Sequence, residues 1–283
     1  MMNRLYLSAC LAVVFCLSFI TANADELREL NFKLFDAAKT NDVKQVKQLI
    51  EKGASVKARN RFGNSALIYA SKVGNIELVK YLLDEKSEIN LVNTSGENAL
   101  IVAARGGHLN IVKYLLKQGV EVNHFSLKKV TALAEAVYGE HFETVQLLLE
   151  HNARVDVVDN TGKTALVYAA AAGNLDIIKL LLSRTESVND QYGHNLTVLM
   201  WASGYGRLDA ARLLLDAGAD ADLQDDRGRS ALMMAAKAGH AELVNELLNR
   251  GANHGLKDND GKSVFDLAAE AKNENVMQIL PAQ

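Results

Sequence analysis

Apolar positions along the chain fall into a recurring pair of short blocks. The first is dense and rich in small residues, as in Ala165-Leu166-Val167-Tyr168-Ala169-Ala170. The second, as in Leu175-Asp176-Ile177-Ile178-Lys179-Leu180-Leu181-Leu182, places apolar residues at i, i+3, i+4 and i+7. That spacing predicts an amphipathic helix with one buried face. Polar turns such as Asp159-Asn160-Thr161-Gly162 and Asp225-Asp226-Arg227-Gly228 separate the pairs. Asp, Asn and Gly favour tight reversals, so each turn predicts a hairpin linking successive units.

The pattern has a period of 33 without insertion. Ser65-Ala66-Leu67, Asn98-Ala99-Leu100, Thr131-Ala132-Leu133, Thr164-Ala165-Leu166, Thr197-Val198-Leu199, Ser230-Ala231-Leu232 and Ser263-Val264-Phe265 recur in register. Ser, Thr or Asn thus opens each first helix, and their side-chain oxygens satisfy an orphan N–H there. Gly74, Gly107, Gly173, Gly206 and Gly239 fall where a residue free of Cβ strain ends a helix. Glu140 breaks that row beside Gly139. Eight units result, the first lacking its leading turn. Helices of about eight residues fall below the ~12–15 needed for marginal independent stability. The units must therefore stack, and stability becomes a sum of nearest-neighbour terms.

These residues resemble the ankyrin repeat, a β-hairpin finger followed by two antiparallel helices. The resemblance runs from about Asn31 to Leu280 and implies an all-α repeat solenoid. An N-terminal capping unit is expected at 31–58 and a C-terminal one at 261–283, within a single solenoid of 25–283. The family's Thr-Pro-Leu-His start is altered. Ala or Val replaces Pro, and Ile68, Ile101, Ala134, Val167, Met200, Met233 or Asp266 replaces His. Apolar packing is expected to fill the space of the missing hydrogen-bond link.

The resemblance also implies protein recognition through finger tips and first helices, which together form a concave face. The variable positions are the two residues before the finger glycine, the one after it, and the pair following Ala-Ala of the first helix. Two fingers depart from the turn pattern. Ser126-Leu127-Lys128-Lys129-Val130 has Lys129 in the glycine position, with Leu127, Lys128 and Val130 at the tip; Tyr192-Gly193-His194-Asn195-Leu196 shifts the glycine and exposes His194 and Leu196 as candidates. Tyr138 and Tyr205 lie on the variable side of the same two units, and the only tryptophan, Trp201, is in the latter. Aromatics dominate binding hot spots. Trp201 aligns with Tyr69, Val102, Tyr168 and Met234, so core filling competes with partner contact there. Phe62 at a finger tip, with Lys72 and Arg105 as a basic rim, completes the candidate surface.

The N-terminus has separate grammar. Arg4 precedes an apolar run from Leu5 to Ile20, followed by Thr21-Ala22-Asn23-Ala24 and the charged Asp25-Glu26. A basic start, an apolar stretch and small residues before a cut after Ala24 predict a signal peptide over 1–24. Cys10 and Cys16, the only cysteines, leave with it, so a mature chain has no thiol chemistry. Periplasmic or secreted localisation follows, with no membrane contact after cleavage.

Charge changes the picture only by exclusion. Lys plus Arg number 31 against 34 Asp plus Glu, a net −3 that gives no footing for nucleic acid. With 49% hydrophobic and 23% charged residues the chain is ordinary globular material. The sole proline, Pro281, spares the helices. No phosphate loop, nucleophile elbow or zinc spacing appears. His108, His141 and His240 share one repeat position and are expected to open helices rather than bind metal. The expectation is a monomeric, non-enzymatic scaffold without cofactor that binds one protein partner. Alternatives are an inhibitor or protective accessory of a periplasmic enzyme, a secreted effector that binds a host protein, and, more distantly, an enzyme or metal protein.

Overall fold

The computed structural model describes residues 24–281. Apart from Ala24, the expected leader with Cys10 and Cys16 lies outside the described residues. Two compact units are present, one up to Val120 and one from Glu121.

In the first unit, helix α1 spans residues 24–39 and is followed by α2 (Val43–Glu51), α3 (Ala66–Val73), α4 (Ile76–Asp84), α5 (Ala99–Arg105) and α6 (Leu109–Lys117). Helix α3 packs on α4 and α5, and α6 closes on α5 and α4. In the second unit, α7 (Ala132–Tyr138), α9 (Ala165–Ala172), α11 (Val198–Gly204), α13 (Ala231–Ala238) and α15 (Val264–Glu270) form the row of first helices. Their partners are α8 (Phe142–Glu150), α10 (Leu175–Leu182), α12 (Leu208–Asp216), α14 (Ala241–Asn249) and α16 (Glu274–Ile279). Each first helix packs on its own second helix and on the first helix of the next repeat. Stability therefore resides in neighbour-to-neighbour interfaces, where a fully buried Leu or Ile contributes about 1.5–3 kcal/mol.

The expected caps form. Ser65, Asn98, Thr131, Thr164, Thr197, Ser230 and Ser263 each accept the backbone N–H three residues on. Ile68, Ile101, Val167, Met200 and Met233 are buried to 2% exposure or less, so apolar packing fills that register. Asp266 instead completes a capping box with Ser263. Among the described residues the fingers carry isolated bridges, such as Phe125 with Thr131 and Tyr192 with Leu196, rather than extended strands.

The helix-ending row has a cause beyond backbone freedom. Gly74 takes φ +85°, and a Cβ there would meet the His108 ring of the next repeat at 2.5 Å. Glu140, not its neighbour Gly139, adopts the left-handed conformation at this register, with φ 56°. The histidines stand at the N-caps of α6, α8 and α14 without side-chain caps. His108 and His240 reach back instead, with Nε2 3.2 Å from the carbonyls of Lys72 and Gly204. Arg207 and Asn273 make the same backward link by donating to Ala171 and Ala236.

Candidate protein-binding surface

In the second unit the first helices and finger tips assemble a train of aromatic rings. Tyr138 ends α7 and is 73% exposed. Its ring meets the Tyr168 ring of α9 edge-on, centroids 5.8 Å apart. On α11 and its C-cap, Trp201 and Tyr205 stack at 6.1 Å with an interplanar angle of 14°. Lys163 joins the two pairs, its ammonium 5.8 Å from the Tyr168 centroid and 4.9 Å from that of Trp201. Edge and stacked pairs contribute about 0.5–1.5 kcal/mol beyond their buried area, so the arrangement is held before any partner arrives.

Tyr168 is fixed from below. Its hydroxyl donates to the Asp159 carboxylate, which also accepts from the Thr161 hydroxyl and the backbone N–H of Thr161 and Lys163. Burial and the neighbouring carboxylate push the Tyr168 hydroxyl up to about 12. Burial works against the Asp159 carboxylate, but these donors outweigh it and hold the group below its ordinary value. Above this anchor, Trp201 Nε1 is buried and makes no hydrogen bond. Leaving such a donor unpaired costs about 1–3 kcal/mol.

Of the residues expected from sequence, Tyr138, Trp201 and Tyr205 are brought together. Trp201 is half-buried and serves both readings, filling space between repeats while presenting a ring face. Lys163 and Tyr168 were missed, although Lys163 stands directly after a finger glycine, one of the positions already marked variable. The two irregular fingers behave differently. Lys129 takes φ 58°, replacing the missing glycine, and its finger closes through Ser126 and Val130 with Leu127 72% exposed. The Leu127 and Lys128 carbonyls accept from Asn160, tying that finger to the next. In the other finger His194 and Asn195 are both left-handed, Leu196 pairs with Tyr192 and is half-buried, and His194 Nδ1 lies 2.8 Å from Asp226 Oδ2.

Phe62, Lys72 and Arg105 lie in the first unit and line a shallow 240 Å³ cleft with Glu97. Arg105 is not a free cation there, since it pairs with Glu97. Burial would raise the Glu97 carboxylate, but Asn93, Arg105 and the charge of Lys72 bring it below its ordinary value. Among the described residues no cluster of three His, Cys, Asp or Glu is placed to hold a metal, and no helix is long and apolar enough to cross a membrane.

The family model for ankyrin repeats in sets of three copies matches residues 34–126, 122–192 and 193–282. The chain belongs to the ankyrin repeat family. Among solved structures, the human ASB11 ankyrin repeat domain is similar with a TM-score of 0.71 and 26% identity, over 78% of this chain and 100% of that one. No curated protein matches it. Ankyrin repeats are protein-interaction scaffolds, and no catalytic family is indicated for this one.

Proposed function

We propose that this ankyrin repeat protein is a non-enzymatic scaffold, exported to the periplasm as a monomer, that grips one protein partner through the aromatic train of its second unit. The observation that supports this reading is the pre-set alignment of Tyr138, Tyr168, Trp201 and Tyr205 around Lys163. Rigid, partly exposed aromatics supply contact area at low conformational cost and dominate hot spots. Export rests on the sequence of residues 1–24.

A photo-crosslinking amino acid at position 205, compared with one at exposed Gln146 on α8, tests the surface. The expected result is a discrete adduct from position 205 alone, lost when Tyr138→Glu is added. Equal labelling from both positions would remove the proposal. Fractionation of cells producing the full-length chain tests export, with recovery of a chain beginning at Asp25 in the periplasm as the expected outcome.

A further inference from the structure

The first unit carries a second feature that the aromatic train does not explain. A pocket of 660 Å³ opens between α1, the first finger and α3, within the size range of small-ligand sites. Its apolar wall is made by Leu27, Phe32, Phe35, Phe62 and Tyr69. Phe32 is 66% and Phe62 51% exposed, although the terminal unit of a repeat stack is expected to turn a polar face outward. Tyr69 is pinned by Asn60, whose Nδ2 donates to its hydroxyl at 2.9 Å.

The rim is cationic. Arg28, Lys39, Arg59 and Arg61 line it against one carboxylate, Asp36. None of the four makes an ion pair among the described residues. Arg61 lies 4.7 Å over the Phe62 ring, and Arg59 donates only to the Val92 carbonyl, at 3.3 Å. An apolar floor under unneutralised guanidinium groups suits a ligand that is greasy along its length and negative at one end. The apolar surface stops within one repeat, because the next finger presents Thr94, Ser95 and Glu97. That extent is too short for an extended peptide. Four cations against one carboxylate suit an anionic head group, and an alkyl carboxylate is the simplest amphiphile that joins one to a greasy chain.

We propose that this pocket binds a medium-chain alkyl carboxylate, its chain lying across Leu27, Phe32, Phe62 and Tyr69 and its head group held by Arg28, Arg59 and Arg61. The site is independent of the aromatic train and does not depend on the protein partner.

Calorimetric titration of the protein with dodecanoate, below its micelle-forming concentration, tests the assignment. One saturable site is expected, with dodecyltrimethylammonium at least about tenfold weaker, since a charge-assisted hydrogen bond contributes roughly 1.5–3 kcal/mol. Arg61→Glu and Phe32→Ser should each weaken dodecanoate by about tenfold or more, while Tyr138→Ser leaves it unchanged. Both altered side chains are exposed, and far-UV circular dichroism verifies their folding; the wild-type ligand series decides by itself if either variant fails. Absence of a saturable dodecanoate site, equal binding of the two amphiphiles, or capture of an acidic apolar peptide without dodecanoate binding would overturn the proposal.

Discussion

Equivalent register positions carry opposite chemistry in the two units. In the first, Lys72 and Arg105 occupy the helix position that is Tyr138 in the second, and Glu97 occupies the finger position that is Lys163. The first rim is closed on itself by an ion pair, as is the far end of the second by Lys262 and Glu270, but the middle of the second presents ring faces with a lysine laid across them. The cores beneath do not differ in kind, since Leu67, Leu100, Leu133, Leu166 and Leu199 are all buried in one register. Stacking therefore fixes the inward residues and leaves the rim free to vary. The difference also ranks the two faces: a solvent-exposed ion pair is worth about 0–1 kcal/mol, whereas aromatic anchors can carry most of a binding energy.

If the cores are equivalent, truncating them should have matched effects. Leu100→Ala and Leu199→Ala should each destabilise by about 2–5 kcal/mol, measured by urea unfolding. A loss confined to one of them would break the premise that only the rims differ.

The rims should then separate sharply. Trp201→Ala is expected to weaken partner binding by about 2 kcal/mol, or roughly 30-fold, while Arg105→Ala changes it by less than about fivefold. Titration with the partner recovered by crosslinking checks both. Salt sharpens the same contrast, because at about 1 M the Debye length falls to about 3 Å. Binding that survives such salt fits the aromatic face; binding that collapses would shift the site to the ionic one.

The repeat, its caps and its buried register were legible in the sequence because each is set by local chemistry recurring every 33 residues. The aromatic train was legible only in part. Tyr138, Trp201 and Tyr205 stood out as departures from the repeat, but Lys163 and Tyr168 look ordinary one at a time. Their role appears when stacking brings a finger of one repeat against helices of its neighbours, which spacing along the chain does not encode. Glu140 teaches the complementary lesson. The left-handed turn at its register is kept with a non-glycine residue, and the next repeat there supplies Asn174, which donates to Glu140, where Gly74 faces the His108 ring.

Acid should reveal the two anchoring carboxylates in turn. Both Glu97 and Asp159 lie below their ordinary values of 4.5 and 3.8. A lowered native pKa means the stabilisation is full above the ordinary value and drains away as pH falls through the native one. The first unit should therefore begin to weaken below pH 4.5 and the second below pH 3.8. Melting temperature followed against pH should flatten below pH 4.5 for Glu97→Gln and below pH 3.8 for Asp159→Asn. The Glu97 effect stays under about 1 kcal/mol because water reaches the pair through Arg105, whose side chain is 42% exposed. A Glu97→Gln profile identical to wild type would show that the ion pair contributes nothing to the first rim.

The smallest effects concern two of the left-handed non-glycine residues of the second unit. Lys129 at φ 58° and Glu140 at φ 56° both hold a conformation that favours glycine. Relief of a left-handed side chain is worth roughly 1–2 kcal/mol, offset by about 0.4–1 kcal/mol of added freedom in the unfolded chain. Lys129→Gly should thus stabilise by about 0.5–1 kcal/mol, seen as a higher unfolding midpoint, with the finger unchanged because its closing bonds are made by Ser126 and Val130. Glu140→Gly relieves the same strain but removes the bond that Glu140 Oε2 accepts from Asn174 at 3.0 Å, so the two terms nearly cancel. Equal gains from both substitutions would mean that the Asn174 contact adds nothing to the coupling between those neighbouring repeats.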